Sequence, residues 1–220
     1  MGAAGRSRAG RWTNFLPVAL FGFALLAPSG ATAAAGGGPE AVVAHLQTAL
    51  IAAMRAAPDL TPAQRRARLA PVIRDTHDLP FIAHFALGRI WKGLSTADRD
   101  RFVAAFSEMS IATYAERFDS YSGERFRILS SRAAERGGEE VRTVLVKSDG
   151  ATVSLDYLLR RRDGRWRIIN VVSEGVSNLA LKRAEYAGFV RRHDFNALMN
   201  EMEARLAART AGTAAPTAGR

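Results

Sequence analysis

Val141-Arg142-Thr143-Val144-Leu145-Val146-Lys147 is followed by Ser148-Asp149-Gly150. Thr152-Val153-Ser154-Leu155-Asp156-Tyr157-Leu158-Leu159-Arg160 comes next, then Asp163-Gly164, then Arg165-Trp166-Arg167-Ile168-Ile169-Asn170-Val171-Val172. Three strand-like runs are thus divided by two Asp-Gly pairs. Asp-Gly between β-branched runs marks a hairpin, because a type I′ turn needs positive φ at both central residues. In the middle run Val153, Leu155, Tyr157 and Leu159 face one way. Thr152, Ser154, Asp156 and Arg160 face the other, and only Leu158 interrupts the polar side. A period of two means one wet face and one covered face. What covers the Val153/Leu155/Tyr157/Leu159 face, and how completely, is the functional question.

The chain has 220 residues, 48% hydrophobic and 24% charged, which suits one globular domain with a core. It has no cysteine, so disulfides, thiol nucleophiles and cysteine-ligated zinc are excluded. Residues 1–35 read as a signal peptide. Arg6, Arg8 and Arg11 precede an apolar run from Trp12 to Leu26, then Pro28-Ser29-Gly30 and small-residue cleavage patterns ending at Ala33 or Ala35. The run is short for a membrane span. Removing it takes the formal charge from +10 to +7, nearly all of it from arginine. Such a surface can approach anionic head groups or an acidic partner, or simply be solvated.

Residues 36–208 read as a single domain and 209–220 as a disordered small-residue tail. Glu40 to Ala56 has helical spacing at Val43, Leu46, Leu50 and Met54, ended by Pro58. Thr61-Pro62 opens a second helix, with a kink or break expected at Pro71. Asp78-Leu79-Pro80 caps a short one, Phe81 to Leu87. The longest helix begins at Ser95 or Thr96 and is expected to end near Tyr121-Ser122-Gly123. Phe102, Val103, Phe106, Met109, Thr113 and Tyr114 share its apolar face, which should lie over a core or a cavity. Arg125 to Ser131 is a first strand, Glu135 to Glu140 a loop, and two helices follow Gly175. Helices, antiparallel strands, then helices read as α+β.

Sites for chemistry are sparse. No nucleophile elbow, zincin helix or phosphate-binding glycine loop occurs. The four histidines are scattered, and Pro80 disturbs any shared helical face of His77 and His84. Neither a metal nor another cofactor is expected. Asp156 and Tyr157 could serve an acid-base enzyme, but neighbours on a strand point to opposite faces. Arg160-Arg161-Arg162 at a hairpin tip suits solvent better than nucleic acid, since no base-stacking pattern accompanies it. The remaining signal is apolar: a strand face, a long helix face and Trp91. It fits an ordinary core or a lipid cavity between sheet and long helix. A sixteen-carbon chain is held in a membrane by roughly 10 kcal/mol, at about 0.8 kcal/mol per CH₂, so carrying it through water needs an apolar enclosure. Periodicity does not separate a filled core from a hollow one.

Several segments together resemble the MlaC-like periplasmic lipid carriers, the toluene-tolerance auxiliary family. They are Leu87-Gly88 with Trp91; Phe102, Phe106 and Tyr114; Val153-Ser154-Leu155-Asp156-Tyr157; Gly164 to Val171; and Glu174-Gly175-Val176-Ser177 with Arg183. Their order and spacing over about residues 40–206 carry the resemblance. The segment from Val176 to Tyr186 is most similar to the hopanoid-associated HpnM branch. The resemblance implies an NTF2-like body: a strongly curved antiparallel sheet of about four strands, with helices closing a lipid pocket. It implies a non-enzymatic periplasmic shuttle for a hopanoid or a phospholipid between inner and outer membranes. The implied partners are an inner-membrane transporter, of MCE/ABC or RND type, and an outer-membrane complex. The pocket is expected to use Phe102, Phe106, Met109 and Tyr114 from the helix and Val153, Leu155, Tyr157 and Leu159 from the sheet. An NTF2-like enzyme and a ligand-free envelope adaptor are the alternatives.

Overall fold

The computed structural model describes residues 37–210. The leader expected at residues 1–35 therefore lies outside the described residues, as does most of the expected tail. Helices α1 (Pro39–Arg55), α2 (Pro62–Thr76), α3 (Leu79–Leu87) and α4 (Thr96–Arg117) come first. Strands β1 (Arg125–Ala134), β2 (Gly138–Val146), β3 (Thr152–Arg162), β4 (Arg165–Ser173) and the two-residue β5 (Val176–Ser177) follow. Then come α5 (Asn178–Arg192) and α6 (Phe195–Thr210). Arg209 and Thr210, expected in the tail, are the last residues of α6.

Local chemistry sets the helix boundaries. Thr61 caps α2 in a reciprocal capping box with Gln64, and Pro62 takes the first helical position. Asp78 accepts from Phe81 N at 3.2 Å at the start of α3, and Ser95 accepts from Asp98 N at 3.1 Å at the start of α4. α2 runs through Pro71 without ending. Pro71 and Ala67 are both exposed, so water can take the carbonyl that proline leaves without a donor. α4 stops at Arg117, four residues before Tyr121. Phe118 leaves helical geometry, its ring stacked on Tyr114 at 6.1 Å and 6.2 Å from Phe126 of β1. That aromatic bridge turns the chain into the sheet.

The strands pair in the order β1-β2-β3-β4-β5, every pair antiparallel. Asp163 and Gly164 have φ of 50° and 76°, the two positive values of a tight type I′ turn. The other Asp-Gly is different. Only Gly150 has positive φ, and Lys147 N bonds Ala151 O across a longer loop. Glu174-Gly175 makes another turn with both φ positive, and that turn creates β5, where the sequence suggested direct entry into a helix.

Two bulges correct the sequence-based picture. In β1 the register shifts so that Leu129 is extra and exposed. In β4 Ile169 is extra: Leu158 faces Asn170 while Leu159 faces Ile168. The parity therefore changes within β4. Ile168 and Val171, which a regular strand would put on opposite faces, both stand on the inner face beside Leu159 and Tyr157. The expectation of a strongly curved sheet of about four strands is also corrected. There are five strands, and the sheet is open and not strongly curled. Each bulge bends it locally, and no pairing returns from β5 to β1.

The helix lying along the sheet is α1, not α4. Its Val43, Leu46, Leu50 and Ala53 are fully buried against Val141, Tyr157, Leu159 and Ile168. α4 lies in a further layer between α2, α3 and α6. One polar chain fixes α1 on the strands. Gln47 Nε2 donates to Thr143 Oγ1 at 3.1 Å, and Thr143 Oγ1 donates to Leu155 O at 2.7 Å. Thr143 is fully buried, so its hydroxyl has no water to fall back on. Thr143→Val should cost about 1–3 kcal/mol by orphaning the buried Gln47 amide, read as a lower urea midpoint at unchanged m-value. Thr143→Ser should retain most of the stability.

Candidate lipid-binding site

Seven of the eight residues expected to form a pocket belong to, or pack against, one continuous apolar core; Val153 does not. They fall into two groups. Phe102 and Phe106 sit in the seam of α4 with α5 and α6. The Phe102 ring lies 5.6 Å edge-on from Tyr186 and 6.3 Å from Phe195, and Phe106 lies 6.5 Å from Tyr186. Met109 continues this seam half-buried, with Phe189, Leu198 and Met202 around it. Tyr157 and Leu159 are buried on the sheet under α1, and Leu155 and Val153 follow toward the start of β3 with rising exposure.

Tyr114 joins the two groups. Its hydroxyl lies 3.0 Å from His77 Nε2, and its ring meets the His77 ring edge-on at 5.4 Å. His77 Nδ1 is 3.0 Å from Thr76 Oγ1. Burial pushes both tyrosine hydroxyls upward: Tyr157 to about 12, and Tyr114 further still, with the nearby Tyr157 adding to it. Both remain neutral phenols. Burial pulls His77 down to about 4, only partly opposed by a backbone hydrogen bond at Ile73. These three interior groups are thus neutral at pH 7, while the buried Asp78 beside His77 is paired with Arg160 and Arg162. Asp156 stands on the other face, 3.8 Å from Arg142 across the strands, so it does not meet Tyr157. His84 stacks on Trp91 at 4.7 Å. No cluster of metal-binding side chains occurs among the described residues.

The sequence does not assign the partners of the expected helix residues. Tyr186, Phe189, Phe195, Leu198 and Met202 recur at helical spacing, but nothing in that spacing says which helix they meet. The expected cavity between sheet and α4 is filled by α1 and by the residues' own side chains. Two concavities among the described residues lie elsewhere. One is a groove of about 330 Å³ between α2, α4 and the end of α6. The other is a crevice of about 20 Å³ in the α4/α5/α6 seam, bordered by Met109, Tyr186 and Met202. Small-molecule pockets commonly measure about 300–1,000 Å³, so the crevice admits no lipid chain as it stands.

The family model for the MlaC protein matches residues 44–204. The chain belongs to the MlaC family. Members are periplasmic, non-enzymatic lipid-binding carriers, in line with the expectation of a protein that does no covalent chemistry. The intermembrane phospholipid transport system binding protein MlaC of Haemophilus influenzae is 23% identical over 130 residues. That alignment spans 57% of this chain and 61% of the Haemophilus protein. The phospholipid-binding protein of Ralstonia solanacearum, solved in complex with a phospholipid, superposes with a TM-score of 0.69 at 20% identity. It covers 79% of this chain and 99% of that one. The MlaC-like fold is therefore shared at low sequence identity. No helix among the described residues of this MlaC-family chain is long and apolar enough to cross a membrane.

His77 gives the core of this MlaC-family protein an acid limit. Its pKa is lower folded than unfolded, so the unfolded chain binds the proton first. Stability from this group is complete above about pH 6.5 and falls as pH drops toward 4, by at most about 1.4 kcal/mol per pH unit. Urea midpoints measured from pH 7 to 4 should show that limb, and His77→Gln should flatten it.

Proposed function

We propose that this MlaC-family protein is an exported periplasmic carrier that shields one membrane phospholipid from water and does no covalent chemistry on it. The observation that carries this reading is the family match across residues 44–204, nearly all of the described body. The Haemophilus relative is named for phospholipid transport and the Ralstonia structure holds a phospholipid, so phospholipid is favoured over hopanoid. The basic, apolar and small-residue order of residues 1–35 supports export by a cleaved leader. By the same resemblance, the carrier works between an inner-membrane transporter, of MCE/ABC or RND type, and an outer-membrane complex.

In the described conformation the apolar layers pack directly on one another. Two half-buried margins, Met109 in the α4 seam and Leu155 with Val153 on β3, border the surface with Tyr114 between the groups, while Phe102, Phe106, Tyr157 and Leu159 line the interior reached when the layers part. Separating Phe102 and Phe106 from Tyr186 exposes aromatic surface. Each CH₂ that then enters recovers about 0.8 kcal/mol, so a long acyl chain can offset the opening.

Protein purified from its native host and extracted with organic solvent should yield near-stoichiometric phospholipid by mass spectrometry. A triterpenoid in its place would assign the hopanoid branch, and empty protein would favour the adaptor. Leu155→Arg should abolish the lipid-bound species in native mass spectra while circular dichroism stays native. Wild-type loading in that folded variant would remove Leu155 from the lipid-contacting residues.

A further inference from the structure

The groove between α2, α4 and α6 is lined by four arginines, Arg65, Arg66, Arg74 and Arg209, and by two carboxylates, Glu108 and Glu116. Its floor is alanine, so two positive charges stay uncompensated. Glu108 serves two of the cations: it pairs with Arg74 and lies 3.4 Å from Arg66. Arg65 has no carboxylate within salt-bridge distance among the described residues, although it is only 8% exposed. Arg65 Nε donates to Ala115 O at 2.6 Å, in the last turn of α4. That carbonyl lacks an intrahelical donor, and its partial negative charge accounts for one N–H and for the side chain's position. It does not neutralise a nearly buried guanidinium. Arg209 Nε lies 2.8 Å from Glu116 Oε1, but in an orientation that makes no hydrogen bond, and its Nη1 turns to Met109 Sδ at 3.3 Å, so Nε is a buried donor left unsatisfied. One orphaned donor, beside a buried guanidinium with no carboxylate partner, leaves this cationic groove short of acceptor oxygens.

We infer that this groove is a binding site for a phosphate-class oxyanion, either free or on the head group of an anionic lipid. Arg65 and Arg209 supply the buried donors. Arg66 and Arg74 close over the anion once it competes with Glu108 for them. The planar forks of the guanidinium groups suit phosphate oxygens in pairs, which lysines would not. At about 330 Å³ the groove holds a head group and not the acyl chains.

The purified protein should be titrated at constant ionic strength with inorganic phosphate, with glycerol 3-phosphate, and with vesicles containing phosphatidylglycerol, followed by calorimetry and backbone amide shifts. Saturable binding with shifts confined to α2, α4 and α6 is expected. Arg66→Gln/Arg74→Gln should weaken it by about tenfold. Glu108→Gln should tighten it, because the competing carboxylate is gone; a groove that is merely structural would give no such gain. A response to phosphate alone identifies a free oxyanion as ligand, and tighter binding of glycerol phosphate or vesicles identifies a head group. No saturable binding of any of the three, or binding unchanged in both folded variants, overturns the proposal. Lipid loading, measured separately, is unaffected by that result.

Discussion

The contact between α1 and the inner face of the sheet governs the rest of the structure. A sheet with one apolar face has to be covered, and here α1, bolted through Gln47 and Thr143, lies across β1, β2 and β4, with α2, α3 and α5 meeting β4. Because α1 takes that place, α4 is displaced outward and its aromatic residues turn to α5 and α6 instead of to the strands. The interior is consequently layered: strands, then α1, then α4 among its helical neighbours. Among the described residues, Tyr114 ties the long helix back toward the strands through His77, and Glu108 does so through Arg74, whose carbonyl accepts from Arg167 of β4.

Much of the sheet was legible from the residues. The alternation in β3 and the Asp163-Gly164 turn both follow from side-chain period and positive φ. What resisted reading was parity. Ile168 and Val171 both point inward because Ile169 is an extra residue, and a bulge leaves no mark in a run of β-branched side chains. The Glu174-Gly175 turn was hidden for a related reason, since glutamate is seldom chosen for positive φ. The site was legible as faces but not as contacts. Spacing put Phe102, Phe106 and Tyr114 on one side of a helix, and nothing in it said that Phe102 meets Tyr186 while Tyr114 meets His77.

The filled interior and the carrier reading are compatible because an apolar interior need not be hollow to accept an apolar guest. A cavity kept open in water would forfeit dispersion contacts and weaken a small domain. Side chains that pack on each other when the protein is empty avoid that penalty and can be exchanged for lipid contacts. The neutral side chains between the layers support the same exchange. His77, Tyr114 and Tyr157 are all held uncharged, so none of the three is left as an ion when the layers part.

The two margins of the sheet are managed differently. On β4, Asp78 N bonds Ile168 O at 2.9 Å and β5 occupies the other end, so that margin is already taken. β1 is the outer strand on the other side. It carries the Leu129 bulge together with exposed Arg125, Arg127 and Arg132. Irregular spacing and like charge discourage a second copy from zipping on strand to strand. Both margins thus hinder a second chain from adding itself to the ladder as a further strand.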